Sequence, residues 1–528
     1  MSYTSYSYLL LFLGSVFLCY TLSPKKYKWV VLLVSSYIFY MINSGKLAVF
    51  LVITTAAVYF AGVFINRIND GFALAKKGLE KEDRKKLKAN IAWQKKAVVV
   101  SAVLFVFGIL LVLKYSGFFL HTAKFLAHLV HIRAHLPKLK FILPLGISYY
   151  TLQAAGYIID VYRGKYRATE NFGKLALFLS FFPQIVEGPI GRYDLLADNL
   201  YEGHSFDYDR TAFALQRIVW GLFKKMVIAD RANILVSEVF GSAGKYSGSV
   251  ILLAGVLYTL QIYAEFSGCM DIVIGSGQLF GVTMSENFCR PFFSKSVNEF
   301  WRRWHITLGA WLKDYVFYSV SLSKPFMKLS RFAKEHLNEF LGSLVPASFA
   351  LFFTWFGIGF WHGAGWKYII YGLYYYIIMM LGMYAEPLIA KFFSALKIKR
   401  ESAPLNIFRI FRTLILVIGG MMLFRADTVC DWIFMLKRIV TDFGGGTFLK
   451  DALLCGMDKA DFLITAIGAA VIFTVSLLQE KGIEIRESIA QWALPVRWAV
   501  YLALVLAVII FGAYGIGYEA VDFIYGQF

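Results

Sequence analysis

The sequence predicts an all-α integral membrane protein with many spanning helices, and three observations carry that reading. Apolar runs recur along the whole chain. Only 17% of its 528 residues are charged while 58% are hydrophobic, and the mean hydropathy is +0.59. A soluble domain carries about 25% charged residues. The basic residues gather between the apolar runs rather than within them.

The runs come in order at Leu9–Tyr20, Trp29–Met41, Leu47–Ile65, Ala97–Leu113, Leu344–Phe360 and Trp498–Phe511, with further spans near 413–424 and 461–478. A bilayer crossing takes roughly 20 mostly apolar residues, and aromatic flanks extend the shorter runs, so about eleven spanning helices are expected. No Lys or Arg precedes Lys25. A cleavable leader has a basic start, so the first run is expected to stay as an anchor.

Loop charges predict a topology. Lys25, Lys26 and Lys28 form one basic group. Arg67, Lys76, Lys77, Lys81, Arg84, Lys85, Lys86, Lys88, Lys95 and Lys96 form a second. Arg163, Lys165 and Arg167 follow, then Lys391, Lys397, Lys399, Arg400, Arg409 and Arg412. Basic loops stay on the cytoplasmic side, which places both termini outside, the last after a span at 498–516. The same rule accounts for the net charge of +20 without nucleic acid as a partner. The five cysteines form no CxxC pair and read as packing residues.

Three segments are hydrophobic without spanning. Phe118–Leu136 carries His121, Lys124, His128, His131, Arg133 and His135 along an apolar helix and reads as interfacial. Residues 173–192 place Pro183, Glu187, Gly188 and Pro189 in an apolar context and read as re-entrant. Residues 290–336 are basic and aromatic and predict short helices at the inner face. With no linker or repeat, residues 1–528 read as a single membrane domain.

An ionisable group inside an apolar segment is costly and marks a candidate site. His362 lies in the uncharged run Gly357-Ile358-Gly359-Phe360-Trp361-His362-Gly363-Ala364-Gly365-Trp366. An imidazole takes a proton near neutral pH, which attack by a hydroxyl requires, although a histidine bonded to a helix carbonyl fits the same run. His305 follows Arg302 and Arg303, which suit an anion such as phosphate but equally a lipid surface. The four histidines of 121–135 lack a carboxylate or cysteine, so no metal site is expected. Glu187 and Asp271 are further polar groups, more consistent with structural roles. The chain has no GxSxG elbow, Walker A loop or HExxH motif, which disfavours serine hydrolases, ATP-driven transporters and zinc proteases.

Ordered motifs then add a resemblance. They run from Gly146-Ile147-Ser148-Tyr149-Tyr150-Thr151-Leu152-Gln153 and Asp160-Val161-Tyr162-Arg163 through Phe181-Phe182-Pro183-Gln184 and Gly188-Pro189-Ile190. Phe266-Ser267-Gly268 with Asp271, Glu286-Asn287-Phe288, Arg290-Pro291-Phe292 and Phe300-Trp301-Arg302-Arg303-Trp304-His305 follow. Trp311-Leu312-Lys313-Asp314-Tyr315, Trp361-His362-Gly363 and Phe424-Arg425-Ala426 complete the series. The chain resembles the bacterial membrane-bound O-acyltransferases (MBOAT) of the alginate O-acetyltransferase type over nearly its whole length. It departs from them at Cys269, where tyrosine is common, and at Tyr318–Lys324, which replaces a Gly-Gly turn.

The resemblance implies a helical funnel around an intramembrane tunnel in a bacterial inner membrane. It implies His362 as general base, with His305 orienting the donor or stabilising the oxyanion. Arg302, Arg303 and Lys313 would attract the phosphates of a cytoplasmic thioester donor, acetyl-CoA, with no bound cofactor. The expected partners are the lipid bilayer, an acyl-CoA or acyl-carrier donor, a polysaccharide acceptor outside the membrane and an extracytoplasmic esterase-like acetyltransferase. Two other readings stand beside this one: D-alanyl transfer from a carrier protein to teichoic acid, and polysaccharide or lipid export without catalysis.

Overall fold

The computed structural model describes residues 1–76, 78–132, 137, 139, 141–444 and 448–514. Lys77, Arg133, His135, Leu136 and the end of the 498–516 span lie outside the described residues. Among the described residues there is no strand, only one isolated bridge between Phe288 and Trp304. The chain is an all-α, multi-pass membrane protein.

The helices are α1 (Leu13–Leu22), α2 (Lys28–Ser44), α3 (Ala48–Ala75), α4 (Lys81–Leu110), α5 (Ser116–Leu129), α6 (Ile147–Arg163), α7 (Phe172–Ser180) and α8 (Tyr193–Glu202). There follow α9 (Tyr208–Leu222), α10 (Asp230–Gly241), α11 (Gly248–Leu279), α12 (Val297–Arg303), α13 (Ile306–Leu312), α14 (Tyr318–Ser321) and α15 (Lys324–His336). The last are α16 (Glu339–His362), α17 (Trp366–Ala395), α18 (Ala403–Arg425), α19 (Val429–Thr441), α20 (Phe448–Leu453), α21 (Lys459–Glu480), α22 (Ile485–Ala490) and α23 (Leu494–Phe511).

Eight runs among the described residues are long and apolar enough to cross a membrane: Lys25–Ala75, Lys81–Leu129, Gly248–Leu279, Glu339–His362, Trp366–Ala395, Ala403–Arg425, Lys459–Glu480 and Leu494–Phe511. The first holds two helices, α2 and α3, broken at Gly45, where φ is 51°. Ser7–Leu22 is apolar but shorter. These two features account for much of the difference from the expected number of about eleven.

Several basic stretches read as loops are helical. Lys81–Lys96 lie on α4, and Arg409 and Arg412 lie on α18. Lys, Arg and Glu are good helix formers, so a helix continues past its apolar portion without penalty. The predicted interfacial helix is α5, which ends at Leu129. It continues α4 through the π turn Leu111–Tyr115, because one inserted residue in the ladder bends a helix without ending it.

The chain divides into two compact units, Met1–Leu215 with Val273–Ser285, and Gln216–Ile272 with Glu286–Phe528. In the first, α6 is buried on nearly every side. The predicted re-entrant segment folds as the short α7 and a buried irregular stretch, Phe181–Ile185, whose backbone is held by side chains. The Tyr3 hydroxyl donates to the Phe182 carbonyl at 2.8 Å and the Phe182 N–H donates to the Ser36 hydroxyl at 3.1 Å. Irregular backbone inside a membrane protein needs such partners, since lipid offers none.

The second unit holds the predicted short helices, α12 to α15, and the spans α16 to α18, α21 and α23. Capping boxes start α19 and α21: Thr428 with Asp431, and Asp458 with Asp461. Each satisfies N–H groups that the first helical turn leaves open.

Candidate active site

The site lies within the second unit, and its local geometry follows from one asparagine. Asn287 is fully buried between α11 and α12 in the sequence. Its main-chain carbonyl accepts from the Ile306 N–H at 3.1 Å. Its side-chain Oδ1 accepts from the Thr307 N–H at 3.0 Å and the Thr307 hydroxyl at 3.0 Å. Asn287 thus caps the start of α13 from a distant position in the chain, where the open N–H groups of a helix need acceptors. The Cys289 N–H to Arg303 carbonyl bond, 2.9 Å, ties the same two segments together.

This pairing holds His305 between α12 and α13 in the left-handed region, φ 49° and ψ 50°. Histidine tolerates that region better than bulky residues do. Its Nδ1 lies 3.3 Å from Asn287 Oδ1. A main-chain N–H donates to that same oxygen, so the atom is the amide oxygen and only accepts. Nδ1 therefore carries the hydrogen, and Nε2 of the neutral ring is the acceptor. His305 is 2% exposed and sits outside the spanning runs. Burial holds its pKa well below the ordinary imidazole value, and repulsion from His362, whenever that ring carries a proton, acts in the same direction.

His362 is the last residue of α16 and is 3% exposed. The helix stops there because Gly363 is extended, and α17 begins at Trp366. The two helices meet closely at Gly359 and Gly372. A Cβ on Gly359 would lie 2.3 Å from the Tyr368 carbonyl oxygen, and one on Gly372 2.3 Å from the Trp355 carbonyl oxygen. Gly359, within the His362 run, thus serves helix packing. The His362 ring packs edge-on against Tyr371 at 5.8 Å and Phe424 at 5.3 Å.

Trp361 joins the two histidines, with ring centroids 5.6 Å from His305 and 5.1 Å from His362. Phe266 also packs edge-on against His305, at 4.9 Å. The walls are aromatic and both imidazoles are withdrawn from water, which strengthens any charge interaction inside.

The other predicted residues are placed differently. Arg303 is engaged by carboxylates, Glu299 at 2.8 Å and Glu480 at 3.1 Å, and Arg290 meets the same Glu480 at 2.6 Å. A phosphate would have to compete with both carboxylates for Arg303. Arg302 is exposed on α12. Lys313 is exposed too, its ammonium 5.8 Å from the Tyr318 ring centroid. Asp271 accepts from Arg217 at 2.9 Å and Lys224 at 2.6 Å, and Arg217 also binds Glu286. Glu187 is buried in the first unit. His121 and His128 lie on α5 and His131 follows it, while His135 is not among the described residues.

Sequence reasoning quoted Asn287 within a motif but passed over it as a site residue, since it lies among other polar residues, Thr283, Ser285, Glu286 and Arg290. It also passed over Lys224 and Lys225, adjacent in the apolar run Trp220–Ala229. Lys225 pairs with Asp230 at 2.7 Å and Glu265 at 3.4 Å, beneath the surface.

Comparison with known proteins gives the family of the chain. The model of the membrane-bound O-acyltransferase family matches residues 168–424. A probable alginate O-acetylase (AlgI) of Pseudomonas aeruginosa is 31% identical over 81% of this chain and 73% of its own. A peptidoglycan O-acetyltransferase of Helicobacter pylori is 32% identical over 51% of this chain and 53% of its own. A teichoic acid D-alanyltransferase of Bacillus subtilis is 30% identical over 49% and 64%.

Proposed function

The chain belongs to the membrane-bound O-acyltransferase family, and from that premise we propose that it transfers an acetyl group from a cytoplasmic thioester, acetyl-CoA, to hydroxyls of an extracytoplasmic polysaccharide. Transfer is direct or passes through an extracytoplasmic esterase-like acetyltransferase. The observation that supports this reading is the pair of buried imidazoles joined through Trp361, with the tautomer of one set by Asn287.

In this mechanism the hydroxyl oxygen attacks the thioester carbonyl carbon while His362 takes the hydroxyl proton. The tetrahedral intermediate collapses, the C–S bond breaks, and the proton passes from His362 to the leaving thiolate. The His305 tautomer changes its assigned part. A neutral ring whose Nε2 is an acceptor has no hydrogen there to give to an oxyanion. It suits a group that orients the acceptor by accepting from a hydroxyl other than the one whose proton His362 takes. The aromatic walls exclude water that would otherwise hydrolyse the thioester.

Purified protein in nanodiscs with labelled acetyl-CoA tests the assignment. His362→Ala should lower transfer by about two to four orders of magnitude at an unchanged melting temperature. Full activity in the folded variant would remove His362 from the chemistry.

D-alanyl transfer from a carrier protein to teichoic acid is the second reading, supported by the similarity to the Bacillus relative. Release of D-alanine, and not acetate, from a loaded carrier decides for it. Family membership weighs against the exporter reading.

A further inference from the structure

The second unit carries a group of cations that the mechanism above does not use. Arg409 and Arg412 are three residues apart on α18, so their side chains neighbour one another on one face. Arg412 donates through one guanidinium nitrogen to the Lys295 carbonyl at 3.2 Å, which brings the segment before α12 against that face. Among the described residues neither arginine has an ion-pair partner, whereas Arg400 close by is matched by Glu386 at 2.7 Å. Lys295 reaches only the exposed Glu401, at 3.7 Å. A guanidinium has five N–H donors, and this one spends a single nitrogen on the protein.

Like charges side by side on one helix face repel, and an anion removes that cost. The chemistry is that of phosphate, with planar guanidinium forks to grip it. Position on α18 narrows the source. Phe424, which touches the His362 ring, lies twelve residues beyond Arg412 on the same helix, about 18 Å along its axis. At the other side, Lys295 precedes α12, whose far end leads to His305 about 10 Å on. A donor with its phosphates at one end and its thioester at the other, joined by an extended pantetheine arm, fits that separation.

We propose that Arg409, Arg412 and Lys295 form the phosphate site for the nucleotide end of a coenzyme A thioester, with α18 setting the distance from this site to His362. The proposal rests on the reading of the chain as an acyltransferase that uses such a donor. It moves the phosphate contacts away from Arg303, which Glu299 and Glu480 already hold.

Titration calorimetry of coenzyme A with the full chain in phosphatidylcholine nanodiscs reads the site without turnover. Replacing both arginines, Arg409→Gln with Arg412→Gln, should weaken coenzyme A roughly tenfold or more. Lys295→Gln, outside any helix and so gentle on folding, should weaken it by a smaller factor. Adenosine bisphosphate should compete and pantetheine should not. Absence of coenzyme A binding to the wild-type chain, or equal affinity in wild type and both variants, overturns the proposal. A variant effect seen only as altered retention of phosphatidylglycerol, with coenzyme A affinity unchanged, assigns the cations to lipid phosphate and also overturns it. Binding that depends on these residues, without acetyl transfer by the wild type, upholds the site and removes the acetyl-transfer reading. Transfer with unaltered affinity in the variants does the reverse.

Discussion

Replacing Asn287 by aspartate alters one group next to His305 and leaves the shape of the site intact. The introduced carboxylate keeps the oxygen that receives the Thr307 N–H, the Thr307 hydroxyl and His305 Nδ1. It loses the weak amide contact to the Met270 sulfur at 3.3 Å. Three donors favour its anionic form even when buried. A negative charge 3.3 Å from Nδ1 attracts the imidazolium by about 5 kcal/mol at an effective dielectric of about 20. Desolvation of the new charge offsets much of this, and a net rise of about one to three pKa units is expected for His305. In the wild-type chain burial keeps that ring neutral. In Asn287→Asp it should hold its proton to higher pH than in the wild-type chain, and while it does so Nε2 ceases to be an acceptor. Acetyl transfer measured across pH should therefore show its acid limb moved upward by at least about one unit, with activity recovering at alkaline pH. An unshifted profile in a variant that melts like wild type would refute both the tautomer and the acceptor role of His305.

Stability should follow the same group. Because the folded pKa of His305 lies below its unfolded value, the unfolded chain takes up a proton that the folded chain refuses as pH falls below about 6.5. Stability from this group is thus present above that pH and lost below it; thermal melts of His305→Gln should be less acid-sensitive than wild type, and equal acid sensitivity contradicts the buried neutral ring. Gly359→Ala should force α16 and α17 apart, costing about 1–3 kcal/mol by melting, since its Cβ would meet the Tyr368 carbonyl oxygen at 2.3 Å. An unchanged melt would show that the helices do not approach there. Glu480→Gln should cost only about 1 kcal/mol or less, because Arg303 and Glu480 are 22% and 30% exposed, and a double-mutant cycle with Arg303→Gln reads their coupling. Strict additivity in that cycle would show that the two residues do not interact. Lys224→Met should destabilise more, by up to about 3–5 kcal/mol, as it removes a buried partner of Asp271, with Arg217 left to share the charge.

The short helices of 290–336, the broken segment after α7 and the spans at α16, α18 and α21 were all visible in the sequence. Each depends on a property of neighbouring residues: apolar length, proline and glycine placement, or a cap. Boundaries were less visible. Arg409 and Arg412 belong to α18 because a helix extends beyond its apolar part, which hydropathy alone does not report. The two histidines stood out because an imidazole in an aromatic run has few explanations, and motif order supplied the family.

The sequence by itself determined a helical membrane protein and the two histidines on which its chemistry is proposed to turn, because hydropathy and motif order are properties of local chain. Only the tertiary structure decided what surrounds them. Asn287 lies 18 residues from His305, Glu480 177 residues from Arg303 and Lys295 117 residues from Arg412. Such pairs form when helices pack, and no local pattern predicts which polar group a buried side chain will meet. That is why Arg303 reads as a phosphate ligand in the sequence and as the partner of two carboxylates in the fold.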